Sequence, residues 1–418
     1  MAGTARPELS QVIAAGIAHH RAGRLAEAAA TYQEVLASDP DNFDALCLLG
    51  AIAHSAGRHH QTIDYIGRAI AHAERATPAR PPNAYAYSNL GEAYRASGQT
   101  GDAMACYEKA VAIKPDYAEA HYHLGLVLAD EGRHQEAIAC YRRATALKPE
   151  LVLAQYNLGL AYKAQGNTAE ATACLREVLR LDPGNELAAF SLSSLTAQNP
   201  ERPPDRYIAN LFDNHAPRFD THLVETLRYG VPRALVDVAR KHAEPPPSGW
   251  DVLDLGCGTG LFGAAIAPFA RRLVGVDLSP RMLEKARERN LYDRLESRDL
   301  LSLMKVEPAS SYDIIASADV FIYVGKLDEV VREAVRLLRP GGALVFSIEA
   351  IEETPSDATD AAPPRDYRLL ASGRYAHSTD YLRKLARDNG FGKIDLSAAD
   401  IRLERGEPVR GWLALLAA

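Results

Sequence analysis

Residues 252–260 read VLDLGCGTG, a short apolar run that leads directly into a loop with three glycines. Short apolar runs then alternate with helical stretches along the chain, at residues 272–277, 280–290, 313–317, 327–338 and 343–348. This alternation is typical of a doubly wound α/β sheet, whose ligands bind at the carboxyl ends of the strands. Glycines at such an end let the backbone turn tightly and approach a nucleoside. The sequence therefore predicts a Rossmann-like sheet with a nucleoside site at residues 254–260.

The glycine-rich loop is compatible with two kinds of ligand. Residues 258–263 read GTGLFG and match the G-x-G-x-x-G fingerprint of dinucleotide-binding proteins, a pattern that is weakly specific by itself. Asp254 distinguishes the two ligands, because its carboxylate would lie where a dinucleotide places its anionic pyrophosphate, and like charges repel in a partly buried crevice. S-adenosylmethionine has no phosphate, and its ammonium group suits a nearby carboxylate. We therefore expect S-adenosylmethionine rather than NAD.

Further candidate cofactor residues follow successive predicted strands. Asp277 ends the second strand, 17 residues after Gly260, where its carboxylate can accept both ribose hydroxyls. Met282 is placed to lie against the adenine face, and Asp299 follows a third strand, placed for the adenine amino group. The predicted cofactor-binding set is Asp254, Gly256, Cys257, Gly258, Gly260, Asp277, Leu278, Met282, Asp299, Leu300 and Ala318.

With these motifs, residues 207–418 resemble the class I S-adenosylmethionine-dependent methyltransferases. The resemblance implies a seven-stranded sheet whose last two strands form an antiparallel hairpin, with candidates at 393–397 and 412–415. It also implies that residues 211–220, LFDNHAPRFD, form a helical segment that caps the cofactor. Several relatives have a tyrosine where this chain has Phe219, so a polar contact is not expected at that position.

The first half of the chain carries an internal repeat. Leu-Gly pairs end at Gly91, Gly125 and Gly159, which are 34 residues apart, and earlier glycines in the same register are Gly16 and Gly50. A large side chain follows each glycine by 16 positions and is predicted to pack beside it: Tyr32, Ile66, Tyr107, Tyr141 and Leu175. This spacing resembles the tetratricopeptide repeat. We predict an α solenoid of about five repeats over residues 5–195, then a proline-rich linker at 196–206.

The whole chain resembles a bacterial group of methyltransferases with N-terminal tetratricopeptide repeats. A solenoid of such repeats leaves a concave face free for a protein partner. By resemblance, the first helix of each repeat lines that face, with Tyr85, Ser88, Tyr122 and Tyr156 and, at one repeated position, Asn89, His123 and Asn157. The repeated amides have two alternative roles, binding an extended peptide or packing the repeats together.

Composition and charge exclude several classes. The chain of 418 residues has a formal net charge of −7 and no basic run, which disfavours nucleic-acid binding. It has no apolar run of the roughly 20 residues that span a bilayer and no signal pattern at its N-terminus, so we expect a cytoplasmic protein. Cys106, Cys140 and Cys174 share the repeat register, and no metal site is expected.

The catalytic chemistry is less well defined by the sequence. Methyl transfer depends mainly on holding acceptor and methyl group in line, and a general base is needed only when the acceptor must lose a proton. His377 is a candidate base and Tyr323 a candidate acid, base or aromatic wall, while Arg374 and Arg402 are candidates for holding an anionic acceptor. Three functions remain open: methylation of a small molecule, methylation of a protein presented by the repeats, and a repeat scaffold with a non-catalytic cofactor sensor.

Overall fold

The computed structural model describes residues 8–75, 83–216, 219–221, 223, 229–351, 366–404 and 406–418. The chain divides into two compact units, Met1–Pro183 and Gly184–Ala418. Each unit is considered by itself below.

The described part of the first unit contains ten α-helices in five consecutive pairs. The pairs are α1 Leu9–Arg21 with α2 Leu25–Ser38, α3 Phe43–Ser55 with α4 His59–Arg75, α5 Ala84–Ala96 with α6 Thr100–Ile113, α7 Ala118–Asp130 with α8 His134–Leu147, and α9 Val152–Ala164 with α10 Thr168–Leu181. Each helix packs against the next one along the chain. This is the predicted solenoid, in which each repeat contacts only its neighbours.

Local sequence signals set the ends of these helices. The Asn42 side chain accepts a hydrogen bond from the Ala45 N–H (3.1 Å) at the start of α3, and Asn83 does the same at the start of α5. Such caps satisfy backbone N–H groups that have no partner within the helix. The turn inside a pair contains a glycine with positive φ, for example Gly132 at 77°, a conformation that glycine adopts without steric cost.

A large side chain packs beside each repeat glycine, as predicted. A Cβ atom added to Gly125 would lie 2.5 Å from Cε1 of Tyr141, whose ring is buried. The same close approach is found in the other four repeats, between Gly16 and Tyr32, Gly50 and Ile66, Gly91 and Tyr107, and Gly159 and Leu175. The repeat spacing therefore reflects direct packing between the two helices of each pair.

The first helices of the repeats are more buried than the predicted concave face requires. Tyr85 is 50% exposed, but Ser88 and Tyr122 are buried, and Tyr122 belongs to a hydrophobic core between repeats. Placing Ser88 and Tyr122 on an open face was wrong, because neighbouring helices cover them. Asn157 donates to the Tyr122 hydroxyl (3.4 Å) and to the Leu153 carbonyl (3.0 Å), which favours the packing role for this amide.

The second unit alternates strands with helices. Its described helices are α11 Glu186–Ser193, α12 Asp205–His215, α13 Phe219–Thr221, α14 Val231–His242, α15 Leu261–Ile266, α16 Pro280–Glu288, α17 Leu300–Met304, α18 Asp328–Leu337 and α19 Thr379–Asp388. Its described strands are β1 Trp250–Leu255, β2 Ala270–Asp277, β3 Arg294–Ser297, β4 Tyr312–Ser317, β5 Leu338–Ala350, β6 Tyr367–Leu369, β7 Tyr375–His377, β8 Lys393–Glu404 and β9 Glu407–Ala417.

The strands form one mixed sheet. β1 pairs in parallel with both β2 and β4, β2 pairs with β3, and β4 pairs with β5. β9 runs antiparallel to both β5 and β8, so the predicted terminal hairpin is present and longer than expected. The short strands β6 and β7 pair with each other, and β7 pairs with the end of β5. The described residues thus form nine strands, where the sequence predicted seven.

Hydrophobic cores cover both faces of the sheet. All six residues of β1 are buried; Leu253 and Leu255 belong to the core under α18 and α19, and Trp250 and Val252 to the core under α14 and α15. Alternate strand residues point to opposite faces, so a strand covered on both sides is apolar throughout. This burial fixes the end of β1 and the loop that follows it.

The residues predicted as the end of the array and the linker pack within the second unit. Phe190 packs with Tyr375, and the Asn199 side chain donates to the Tyr367 carbonyl (2.9 Å) and accepts from the Leu369 N–H (2.7 Å). The boundary between compact units therefore lies at Pro183/Gly184, whereas the sequence suggested residue 195. Residues 5–7 of the predicted array lie outside the described part of the chain.

Candidate functional site

Three glycines with positive φ shape the loop after β1. Gly256, Gly258 and Gly260 have φ values of 71°, 53° and 85°, a region that costs other L-residues energy. The N–H groups of Gly256 and Cys257 donate to the Val276 carbonyl at 2.8 and 2.9 Å, which ties the loop to β2. The loop conformation therefore depends on glycine, as the sequence predicted.

Two carboxylates lie at the ends of β1 and β2, beside this loop. Asp254 is buried and accepts a hydrogen bond from the Tyr292 hydroxyl at 2.6 Å. Burial raises the pKa of Asp254 to about 7, although the hydrogen bond from Tyr292 acts in the opposite direction. Asp277 accepts from the N–H groups of Gly258 (2.9 Å) and Ser279 (2.8 Å), and burial raises its pKa as well.

Asp299 caps α17 and is held by an arginine from the predicted linker. One carboxylate oxygen accepts from the Ser302 N–H (3.0 Å), and the other accepts from the Arg202 guanidinium (2.7 Å). Burial by itself would raise the pKa of Asp299, but the hydrogen bond and charge of Arg202 outweigh it and lower the pKa. Sequence reasoning missed Arg202, because its contact with Asp299 spans 97 residues.

The segment predicted to cap the cofactor is held over the loop by two aspartates. Asp213 of α12 accepts a hydrogen bond from the Ser279 hydroxyl (2.5 Å), and Asp220 of α13 bonds the Thr259 hydroxyl and the Arg289 guanidinium. These contacts fix α12 and α13 to the strand ends. Residues 217 and 218 of the predicted segment lie outside the described residues.

A cavity of about 350 Å³ opens at the carboxyl ends of β1, β2 and β4. Nine predicted cofactor residues line it, namely Asp254, Gly256, Cys257, Gly258, Asp277, Leu278, Asp299, Leu300 and Ala318. Gly260 and Met282 are not part of the lining, and the Met282 side chain is fully buried. The structure therefore brings most of the predicted set together and leaves the Met282 side chain away from the cavity wall.

His377 lies in the interior at the end of β7 and does not line the cavity. Its Nε2 is 3.0 Å from the Val324 carbonyl oxygen and 2.9 Å from that of Gly325, so the neutral ring donates to backbone carbonyls. Burial lowers the pKa of His377 to about 4. This environment suits a structural histidine and gives no access to a substrate, in contrast to the predicted role as a base.

Tyr323 lines the cavity, as the sequence predicted. Its ring meets that of Phe212 edge to face, with centroids 5.3 Å apart. Burial raises the pKa of Tyr323 to about 12, so the phenol keeps its proton at neutral pH. Of the roles considered, the geometry favours an aromatic wall with a hydroxyl donor over a base.

A buried charge cluster at the end of β4 and β5 was missed by sequence reasoning. Arg402 donates to Asp319 (2.9 Å) and also bonds Glu349, while Arg374 pairs with Glu349 (2.7 Å) and with Glu404. The two arginines were expected to hold an anionic acceptor, but each is already paired with carboxylates. Asp319, which directly follows the predicted strand and Ala318, was the one available signal for this cluster.

Two searches of the described residues complete the description of the site. They contain no group of three or more histidine, cysteine or acidic side chains that could hold a metal ion. None of the described helices has the length and apolar character needed to cross a bilayer.

Comparison with known proteins assigns a family model to each half. Residues 253–346 match the family described as a methyltransferase domain. Residues 16–57, 91–132 and 127–166 match a TPR repeat model, and residues 152–185 match the tetratricopeptide repeat.

Individual proteins are similar to each half as well. The chain is 26% identical over 207 residues to a ubiquinone biosynthesis O-methyltransferase of Xanthomonas oryzae pv. oryzae, covering 48% of this chain and 80% of that protein. It is 38% identical over 121 residues to methyltransferase-like protein 27 of Homo sapiens, covering 29% of this chain and 46% of that protein. The crystal structure of MamA is 28% identical, covers 40% of this chain and 94% of its own, and has a TM-score of 0.36. The chain therefore carries tetratricopeptide repeats in its first half and a methyltransferase domain in its second.

Proposed function

We propose that the second unit binds S-adenosylmethionine in the cavity at the strand ends and transfers its methyl group to a small-molecule acceptor. In this proposal Asp277 holds the ribose hydroxyls, Asp299 the adenine amino group and Asp254 the ammonium group. The glycines of residues 256–260 allow close approach to the backbone. When bound, the cofactor supplies a methyl group on a sulfonium, which is already activated for displacement.

The observation that carries the proposal is the charge of the cavity wall. Four carboxylates line it, those of Asp254, Asp277, Asp299 and Asp319. The lining arginines are in ion pairs with carboxylates, namely Arg202, Arg298, Arg374 and Arg402. A diphosphate would meet carboxylates and no unpaired cation, whereas an ammonium group would be stabilised. The wall therefore supports S-adenosylmethionine over NAD.

The shape of the cavity supports a small acceptor. Its volume lies at the lower end of the range typical of small-molecule sites, and apolar side chains of α12 and its neighbours form one side, including Leu211, Phe212, Phe219 and Leu223. Such a wall excludes water and leaves little room for a polypeptide. One similar protein is named as an O-methyltransferase of ubiquinone biosynthesis, which is consistent with this acceptor class.

Calorimetry on the full chain tests the cofactor assignment. We expect S-adenosylhomocysteine to bind and NAD not to bind, and Asp277→Asn to weaken S-adenosylhomocysteine binding at least tenfold, because it weakens the proposed contact to the ribose. Asp313→Asn is the matched control, since Asp313 is an arginine-paired carboxylate at the opposite end of β4. Tighter binding of NAD than of S-adenosylhomocysteine would refute the proposal.

We propose that the repeats bind a protein partner, a role that does not require them for methyl transfer itself. The full chain and a fragment from residue 184 would be incubated with labelled S-adenosylmethionine and a metabolite extract. Equal methylation of small molecules by both supports an acceptor bound by the second unit alone. Methylation of proteins that is lost with the repeats would instead favour a protein methyltransferase.

A further inference from the structure

Asp319 occupies an unusual position at the cavity wall. It follows β4 directly, and its φ of 61° lies in the left-handed region, which is uncommon for residues other than glycine. Its N–H donates to the Ser347 hydroxyl (2.8 Å), and its Oδ2 accepts from Arg402 (2.9 Å). Strained backbone of this kind persists where surrounding contacts enforce it and is concentrated at functional sites.

The second carboxylate oxygen of Asp319 lacks a partner. Oδ1 is buried and accepts no hydrogen bond within the described part of the chain, although the side chain as a whole is 15% exposed and lines the cavity. Buried polar atoms in native proteins are almost always hydrogen-bonded, so an exception calls for an explanation. A ligand in the cavity that donates a hydrogen bond would supply the missing partner.

The charges around Asp319 decide which ligand group fits. Arg402 lies between Asp319 and Glu349, and Arg374 lies between Glu349 and Glu404. Three carboxylates thus surround two guanidinium groups, and the arginines have no excess positive charge for an anionic ligand. The free capacity of the cluster is an acceptor oxygen, which suits a hydroxyl group.

The rest of the wall near this cluster is aromatic and apolar. The phenol of Tyr323 is close enough to Asp319 and Arg402 to feel their charges, and so is that of Tyr229. The ring of Phe212 packs edge to face on both Tyr323 and Phe219, with centroids 5.3 and 5.9 Å apart. Aromatic rings favour such arrangements with other rings, so a flat, ring-bearing ligand matches this wall.

We propose that Asp319 binds the hydroxyl of a phenol-like acceptor and takes its proton as the oxygen is methylated; this inference rests on the proposed methyl transfer from S-adenosylmethionine. The electron pair of the breaking O–H bond remains on oxygen, an oxygen lone pair forms the bond to the methyl carbon, and the carbon–sulfur pair stays on sulfur. The proton moves to Oδ1 of Asp319, and the products are a methyl ether and S-adenosylhomocysteine. Burial raises the pKa of Asp319 despite the opposing charge of Arg402, which makes the carboxylate a better proton acceptor.

Phenol and anisole are the matched probes for this site, because they share the ring and only phenol has a hydroxyl to donate. Their binding to the full chain, saturated with S-adenosylhomocysteine, would be compared by saturation-transfer NMR. We expect phenol to bind at least threefold more tightly than anisole to the wild-type chain.

The Asp319→Asn variant removes the acceptor and keeps the shape, and asparagine also tolerates positive φ. Arg402 would hold the amide oxygen, so the amide NH₂ takes the place of Oδ1 and donates equally well to phenol and anisole. We therefore expect the preference for phenol to disappear in Asp319→Asn and to persist in Asp313→Asn. With the natural acceptor, turnover by Asp319→Asn should fall about 100-fold, the usual effect of losing a general base.

Calorimetry with S-adenosylhomocysteine separates this inference from the proposed function. Unchanged affinity in Asp319→Asn, with loss of the phenol preference, supports the assignment. Loss of affinity for S-adenosylhomocysteine in Asp319→Asn would place Asp319 in the cofactor region and overturn it, as would equal binding of phenol and anisole by the wild-type chain. If the wild-type chain did not bind S-adenosylhomocysteine, the proposed function itself would fail.

Discussion

Replacing Asp254 by asparagine should stabilise the second unit at neutral and higher pH. The carboxyl is 1% exposed, and burial raises its pKa from 3.8 to about 7. The folded state therefore holds the Asp254 proton more tightly than the unfolded state does. The sign follows directly: the stability is fully present below about pH 4 and is lost as the pH rises to 7. Asparagine does not ionise, and its amide oxygen can still accept the hydrogen bond from Tyr292.

The size of the effect follows from the shift in pKa. A change of about three pH units corresponds to at most about 4 kcal/mol at 1.36 kcal/mol per unit. Between pH 5 and pH 8 the advantage of Asp254→Asn over the wild-type chain should grow by roughly 2 kcal/mol, because ionisation in the folded state is completed in that interval.

Urea denaturation followed by tryptophan fluorescence measures this effect in the full chain. Both tryptophans, Trp250 and Trp412, lie in the sheet of the second unit, so the signal reports that unit alone. The same substitution should weaken the binding of S-adenosylhomocysteine, because it removes the proposed partner of the ammonium group. A difference in unfolding free energy between variant and wild type that stays constant from pH 5 to pH 8 would refute the reasoning.

Three further substitutions test individual packing arguments. A Cβ atom at Gly256 would lie 2.4 Å from a valine side chain, so Gly256→Ala should destabilise the second unit by about 2–5 kcal/mol. Gly258→Ala, whose nearest neighbour is 4.0 Å away, should cost about 1–2 kcal/mol in the same urea assay; equal losses would contradict this. Gly125→Ala, which forces a methyl group against Tyr141, should lower the melting temperature of the helices seen by circular dichroism and leave the tryptophan transition unchanged. Burial lowers the pKa of His377 from 6.5 to about 4, so the stability that the neutral imidazole contributes above pH 6.5 is lost as the pH falls, by roughly 2 kcal/mol between pH 7 and pH 5. A His377→Gln chain with the same pH dependence as the wild type would exclude this assignment.

The sequence carried the repeat array and the order of the central strands because both depend on local patterns. A glycine every 34 residues is needed wherever two helices of a pair touch, as at Gly125 and Tyr141, and each pair contacts only its neighbours. Likewise, a buried strand that ends in Asp254 and a loop of glycines with positive φ is encoded within a few residues. The positions of Asp277 and Asp299 followed from counting strands.

The second half also shows where counting strands was insufficient. The pair β6 and β7 is too short to give a periodic signal, and its role is defined by pairing with the end of β5. His377 ends β7, so the same pairing carries its ring into the interior, where the sequence had suggested a loop over the substrate. Burial depends on which elements cover a residue, and neighbouring residues in the chain do not specify that.

By itself, then, the sequence determined the solenoid, the doubly wound sheet and the backbone of the glycine loop, because each is specified by spacing along the chain. Only the tertiary structure decided which charges meet in the cavity: Arg202 with Asp299, and Arg402 with Asp319, are pairs separated by 97 and 83 residues. The electrostatic character of a site depends on distances in space, and these are set when the sheet and its covering helices fold together.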